Sequence, residues 1–145
     1  MHQEHYNVGE LEIVYRKNEN QDFAYPLRYH RKTRKTIVET LYSKVGNVSE
    51  TVYALFLSSD YRVLGYSKIG QGNLTSSVMD VQLMLFTALK LRAAGVVVVH
   101  NHPVSAAPPS EEDVEAYHDV RNACEAVHLT LVDFIVYSGN TLHFV

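Results

Sequence analysis

The stretch that organises this chain reads Val96-Val97-Val98-Val99-His100-Asn101-His102-Pro103. Four consecutive valines are typical of a strand that is buried on both faces of a sheet. Two histidines at i and i+2 of extended backbone point the same way, which is a geometry that a metal ion can use. Ser110 and Asp113 complete an H-x-H-x7-S-x-x-D pattern. The spacing of the histidines alone is equally compatible with ordinary hydrogen-bonded side chains, but two imidazoles and one carboxylate with an open fourth position are the ligand set of a catalytic zinc site. A chain that binds metal there would be a hydrolase.

The distal part of this pattern has a second interpretation, as the start of a helix. Ser110 and Asp113 are spaced like a capping box, in which each side chain bonds the backbone N–H of the other residue. Glu111 and Glu112 would also suit the positive end of a helix dipole. Because a carboxylate committed to zinc cannot also reach back to cap the helix, we expect the two roles partly to compete. Spacing alone leaves both open.

Length and composition favour a small globular protein. A chain of 145 residues is one domain that can bury a core, and 46% hydrophobic with 20% charged residues excludes an intrinsically disordered chain. No apolar run reaches the roughly 18–20 residues that span a bilayer, and the N-terminus carries no apolar segment of a secretory signal. Cys124 is the only cysteine, so no internal disulfide is possible. We therefore expect a cytoplasmic protein without membrane association.

Periodicity and breaker residues divide the chain into helices and strands. Ser76 or Ser77 can cap the middle helix, and Gly95 is well placed to end it. The sequence predicts strands over 11–16, 51–57, 62–69, 96–100, 130–137 and 142–145, and helices over 26–42, 76–94 and 110–127. Strands interleaved with helices predict a single α/β domain built in layers.

The segment from His100 to Asp113 resembles the JAMM motif of the MPN-type metalloproteases, and more closely the RadC-like family, traditionally labelled DNA repair proteins. The resemblance runs from about Val45 to the C-terminus, and its landmarks are Glu50 ahead of the Phe56-Leu57 strand, the segment 72–77, the valine strand, His-Asn-His-Pro and the distal Ser-x-x-Asp. It implies a JAMM/MPN domain over 45–145, with 1–44 an N-terminal strand and helix packed on or preceding it. The implied fold is a three-layer, cytidine-deaminase-like structure with a mixed central sheet flanked by helices.

The resemblance also implies roles for five residues. His100, His102 and Asp113 would bind one Zn²⁺ ion per chain. Glu50 would be the general acid/base, and Ser110 would stabilise the oxyanion of the reaction. Without the family pattern, Glu50 would be interpreted as an ordinary solvated charge at the start of a strand. The implied reaction is hydrolysis of a peptide or isopeptide bond, and the implied partner is a peptide or protein substrate.

The DNA-repair label gives a second hypothesis, an accessory protein for repair or mobile elements that associates with nucleic acid and has little or no protease activity. A net charge of −3 gives no overall attraction to nucleic acid. The basic residues of the first predicted helix could contact phosphate, but a solvated helix face is the favoured interpretation, because no aromatic platform or DNA-binding motif accompanies them. They are Arg28, Arg31, Lys32, Arg34 and Lys35.

Two further classes of protein are less compatible with the residues. A non-catalytic interaction domain that merely keeps the fold is disfavoured by the intact ligand set and by Glu50. A nucleobase deaminase uses H-x-E together with P-C-x-x-C, whereas this chain has His102 in the third position and a single cysteine. The deaminase is therefore excluded.

Overall fold

A computed structural model describes residues 9, 28–72 and 79–145. Its elements are α1 (Arg34–Val45), β1 (Thr51–Leu57), β2 (Val63–Gln71), α2 (Val81–Lys90), β3 (Gly95–His102), α3 (Glu111–Ala126), β4 (Thr130–Ser138) and β5 (Thr141–Phe144). The strand predicted over 11–16 lies outside the described residues. In the described ranges no helix has both the length and the apolar character needed to cross a membrane.

The five strands form one mixed sheet in the order β2-β1-β3-β4-β5. β3 and β4 pair in parallel, and β1–β2, β1–β3 and β4–β5 pair antiparallel. The valines of β3 are fully buried and serve both faces: Val96 and Val98 join the core beneath α2 and α3, while Val97 and Val99 join the core beneath α1. The predicted mixed sheet, flanked by helices on both sides, is confirmed.

The first helix begins later than the sequence predicts. Helix α1 starts at Arg34, whereas the sequence predicts a start at residue 26. Residues 26 and 27 lie outside the described part of the chain. Arg28 forms an antiparallel bridge with Arg62, and the Tyr29 N–H donates to the Tyr61 carbonyl at 2.7 Å. Because these backbone groups extend the edge of the sheet, they are not free to begin a helix.

The second helix is shorter than predicted at its start. Ser76 and Ser77, the predicted caps, lie outside the described residues, and the observed N-cap is Asp80, whose side chain accepts from the Leu83 N–H. Met79 forms an antiparallel bridge with Gly70. This pairing keeps the chain extended up to Asp80, so the helix begins at the next residue.

The same helix also ends before the predicted residue 94, at Lys90, and Gly95 is the first residue of β3 rather than a helix terminator. A Cβ atom on Gly95 would lie 2.8 Å from Val132 Cγ2. The glycine is therefore needed for close packing of β3 against β4, which local sequence cannot reveal.

Candidate metal centre

The carboxyl end of β3 and the amino end of α3 bring the two histidines and Asp113 together. His100 Nδ1 lies 3.0 Å from Asp113 Oδ1, and His102 Nε2 lies 3.5 Å from Asp113 Oδ2. The imidazole rings are nearly perpendicular, with centroids 4.9 Å apart. One potential ligand atom from each residue falls within 4.8 Å of the others. These three side chains, separated by up to 13 positions in the chain, form a group that could hold a metal ion.

Helix α3 begins with the capping box that its sequence predicts. Ser110 Oγ accepts from the Asp113 N–H at 3.2 Å, and Asp113 Oδ2 accepts from the Ser110 N–H at 2.7 Å. The Ser110 hydroxyl also donates to Asp113 Oδ2 at 3.0 Å. The carboxylate caps the helix and faces the histidines at the same time: Oδ1 faces His100, while Oδ2 accepts from the Ser110 N–H and lies 3.5 Å from His102 Nε2.

The electrostatics of the site suit a cation. Asp113 is fully buried, and within the described part of the chain its ion-pair partners are the two imidazoles. Burial raises the pKa of the Asp113 carboxyl, but the contacts with His100 and the Ser110 N–H outweigh it and hold that pKa below its ordinary value. A buried carboxylate that stays ionised needs positive charge beside it.

An unsatisfied nitrogen points to the same conclusion. His100 is 2% exposed, and its Nε2 atom is buried with no hydrogen-bond partner among the described residues. Buried polar atoms are nearly always satisfied, so an exception needs an explanation such as an absent ion. Two imidazoles and a carboxylate are a donor set that zinc accepts. The residues present therefore fit a zinc ion.

Glu50 immediately precedes β1 and is partly buried. Its carbonyl accepts from the Gly72 N–H at 2.9 Å. In the antiparallel pairing of β1 with β3, Val52 lies opposite His100. Glu50 precedes Val52 by two residues and His102 follows His100 by two, so both lie beyond the same end of this antiparallel pair. The strand pairing therefore places Glu50 at the same end of the sheet as the histidines.

Asn101 lies between the two histidines and makes contacts that were not predicted from the sequence. It is fully buried. Its Oδ1 accepts from the Thr51 N–H at 2.7 Å and from Thr51 Oγ1 at 3.2 Å, and its Nδ2 donates to Asn47 Oδ1 at 2.6 Å and to the Ser49 carbonyl at 3.0 Å. A polar side chain in a strand buried on both faces is the signal that could have drawn attention to it, because such a group must have partners.

The basic residues near α1 do not form the helical face that was predicted for them. Arg28 is in a β-bridge and pairs with Asp60, while positions 31–33 form a turn ahead of the helix. Arg34 lies 3.7 Å from Asp133 and over the Phe144 ring. The prediction that Arg28, Arg31 and Lys32 belong to the first helix is therefore wrong, because the helix starts only at Arg34.

Comparison with known proteins agrees with this fold. The family model described as "RadC-like JAB domain" matches residues 30–144. A UPF0758 protein of Acinetobacter baylyi is 33% identical over 104 residues, which are 71% of this chain and 38% of that protein. A UPF0758 protein of Aquifex aeolicus is 32% identical over 100 residues, 69% of this chain and 43% of that protein. The chain thus spans about two fifths of these relatives' length. The match over most of its residues shows that this chain belongs to the RadC-like JAB domain family.

Proposed function

We propose that the chain is a zinc-dependent hydrolase that cleaves a peptide or isopeptide bond. The observation that carries this proposal is the convergence of His100, His102 and Asp113, with a buried imidazole nitrogen that has no partner among the described residues. The JAB families are generally hydrolytic, which supports the reaction class. His100, His102 and Asp113 would hold the ion, and a peptide or protein would be the substrate.

Zinc, when bound, supplies a Lewis acid that lowers the pKa of water from about 15.7 towards 7. The chain must supply a base, because the proton that water loses has to be accepted and then returned to the leaving amine. We assign this role to the Glu50 carboxylate, which the strand pairing brings to the histidine end of the sheet. Its two oxygens can take the proton from water and deliver it to the amine nitrogen as the bond to carbon breaks.

Ser110 is our candidate for stabilising the oxygen of the scissile carbonyl as negative charge develops on it. In this structure the Ser110 hydroxyl donates to Asp113 Oδ2. Catalysis would require the Ser110 hydroxyl to rotate from the carboxylate to the substrate oxygen. The side chain can do this while the Ser110 backbone N–H continues to donate to Asp113 Oδ2. Ser110 would therefore serve the cap in the resting protein and the substrate during reaction.

The test uses zinc-loaded protein and two probe mixtures, a proteome-derived peptide pool and a set of isopeptide-linked peptide conjugates. New termini are identified by mass spectrometry. We expect cleavage by the wild type and its loss in Glu50→Gln, with zinc content unchanged. Glu39→Gln is the matched control, since Glu39 lies on α1 and pairs with Lys35, so that variant should keep wild-type activity.

Two results would contradict the proposal. The first is a folded protein that binds no zinc when the metal is supplied. The second is a zinc-loaded Glu50→Gln variant that cleaves the same bonds as the wild type at the same rate, because hydrolysis would then need no proton transfer at Glu50.

A further inference from the structure

The side chain of Asn101 holds the two peptide groups that flank Glu50. One is the Ser49–Glu50 peptide, whose carbonyl accepts from Asn101 Nδ2 at 3.0 Å. The other is the Glu50–Thr51 peptide, whose N–H donates to Asn101 Oδ1 at 2.7 Å. The orientation of the amide is settled by these partners, since a backbone N–H can only donate and a carbonyl can only accept. A single buried side chain therefore constrains the backbone on both sides of Glu50.

A third contact completes this constraint. The Glu50 carbonyl accepts from the N–H of Gly72, the residue after β2, at 2.9 Å, so this contact holds the Glu50–Thr51 peptide group from its other side. Asn101 itself sits between His100 and His102 on β3. Because successive side chains of a strand point to opposite faces, the histidines face α3 while the Asn101 side chain reaches the segment ahead of β1.

We propose that Asn101 is a positioning residue that fixes Glu50 relative to the two histidines. This inference rests on the proposed function, in which Glu50 transfers a proton close to the metal. The residue that orders the base is thus adjacent in the chain to the residues that hold the ion. Any shift of β3 moves both together, so the distance between base and metal is kept.

The chemistry of the position favours asparagine. The side chain must accept two hydrogen bonds at one atom and donate two at the other, with no exposure to water. Aspartate can accept from Thr51 but would set its second oxygen against the Ser49 carbonyl and Asn47 Oδ1. Alanine would leave every partner unsatisfied. A displacement of only about 1 Å at a reacting group can lower turnover about 100-fold.

The first experiment measures amide hydrogen exchange in metal-free wild type, Asn101→Ala and Asn101→Asp. We expect exchange at the Gly72 N–H to rise at least about tenfold in both variants, because the Glu50 carbonyl is no longer held in place. The Val98 N–H, deep in the sheet, reports global stability. Tyr42→Phe is the matched control, since Tyr42 bonds the carbonyls of Thr51 and Val99 without touching either peptide group of Glu50.

The second experiment measures kcat and KM of the zinc-loaded variants on the peptide that the wild type cleaves fastest. We expect Asn101→Ala to lower kcat about 100-fold with KM and zinc content nearly unchanged. In a double-mutant cycle, adding Asn101→Ala to Glu50→Gln should cost no more than about threefold in kcat, because the two residues act as a unit. The control variant Tyr42→Phe should keep most of the wild-type kcat.

The outcomes separate this inference from the proposed function. A wild-type protein that binds no zinc or cleaves nothing overturns both. An active wild type whose Asn101→Ala variant keeps its kcat or its protection at Gly72 overturns the inference alone. So does a further loss of about 100-fold when Asn101→Ala is added to Glu50→Gln, since Asn101 would then act independently of the base.

Discussion

Asp113 combines two tasks that sequence reasoning had set against each other. Oδ1 faces His100, and Oδ2 caps α3 through Ser110 while also lying 3.5 Å from His102 Nε2. The contacts with these two residues outweigh burial and lower the pKa of the Asp113 carboxyl, so the group stays ionised at neutral pH. A carboxyl group with a lowered pKa stabilises the folded protein at pH values above its ordinary pKa of 3.8. This contribution is lost as the pH falls through the lowered pKa.

Asp113→Asn should therefore change both metal content and the pH dependence of stability. We expect zinc binding to be lost, because the ligand loses its charge. In metal-free protein we expect a loss of about 1–3 kcal/mol in the free energy of unfolding at pH 7, which shrinks below pH 3.8 as the wild-type carboxyl becomes protonated. Elemental analysis measures the zinc content, and urea unfolding at pH 7 and below pH 3.8 measures the free energy of unfolding. A variant that keeps its zinc, or a deficit independent of pH, would contradict the assignment.

Cys124 offers a second prediction at this scale, unrelated to the metal. Its thiol is fully buried in the core beneath α2 and α3, and burial, helped by the nearby Glu125 charge, raises the pKa of that thiol to about 11. Because only the thiolate is nucleophilic, native protein should resist alkylation by iodoacetamide at pH 8, whereas urea-unfolded protein should react fully. Rapid modification of the native protein would show that the helices do not cover this side of the sheet.

Among the elements, the described strands and the start of α3 were predictable, and the starts of α1 and α2 were not. Val96–Val99 and β1 could be recognised because a strand buried on both faces requires continuous apolar residues. The starts of α1 and α2 depend instead on Arg28 and Met79, which form bridges to Arg62 and Gly70 at the edge of the sheet. Nothing in the local sequence records such pairing, so periodicity extended both helices too far towards the N-terminus.

The cap of α2 can be tested directly. Asp80 Oδ1 accepts from the Leu83 N–H at 2.8 Å, and loss of such a cap costs about 1 kcal/mol. Asp80→Ala should lower the free energy of unfolding in urea by this amount. Asp119→Ala, which removes an exposed carboxylate from the middle of α3, is the control and should change stability by less than about 0.5 kcal/mol. Equal losses in the two variants would show that Asp80 does not cap the helix.

The site itself was only partly predictable at the level of elements. Histidines at i and i+2 and a capped helix start can be found from spacing, and these gave His100, His102 and Asp113. Glu50 required a family resemblance, because its relation to His102 depends on strand pairing between residues about fifty positions apart. Asn101 was missed because its role depends on the path of the loop before β1.

For the whole molecule, the candidate centre ties together parts of the chain that are far apart in sequence. β3 supplies two imidazoles and α3 supplies the carboxylate, and the proposed base Glu50 lies in the segment before β1. A metal ion that binds this arrangement and not the unfolded chain must stabilise the fold, by about 2.7 kcal/mol when free metal is at 100 times its Kd.

Thermal unfolding should therefore depend on zinc. We expect Tm to rise by several degrees when zinc is added to chelator-treated protein, in line with about 2–8 °C per kcal/mol. His102→Ala should abolish the rise. His118→Ala is the control, because His118 is exposed on α3 and contacts the Tyr117 ring. A rise that survives in His102→Ala would place zinc elsewhere on the protein.

A crystal structure of the zinc-loaded protein with anomalous data at the zinc edge is the most direct test of the central claim. We expect one anomalous peak about 2.0–2.2 Å from a nitrogen of His100, a nitrogen of His102 and an oxygen of Asp113. A carboxylate oxygen of Glu50 should lie within hydrogen-bond reach of whatever fills the fourth position. A zinc ion bound at other residues, or a Glu50 carboxylate turned away from the ion, would contradict the account.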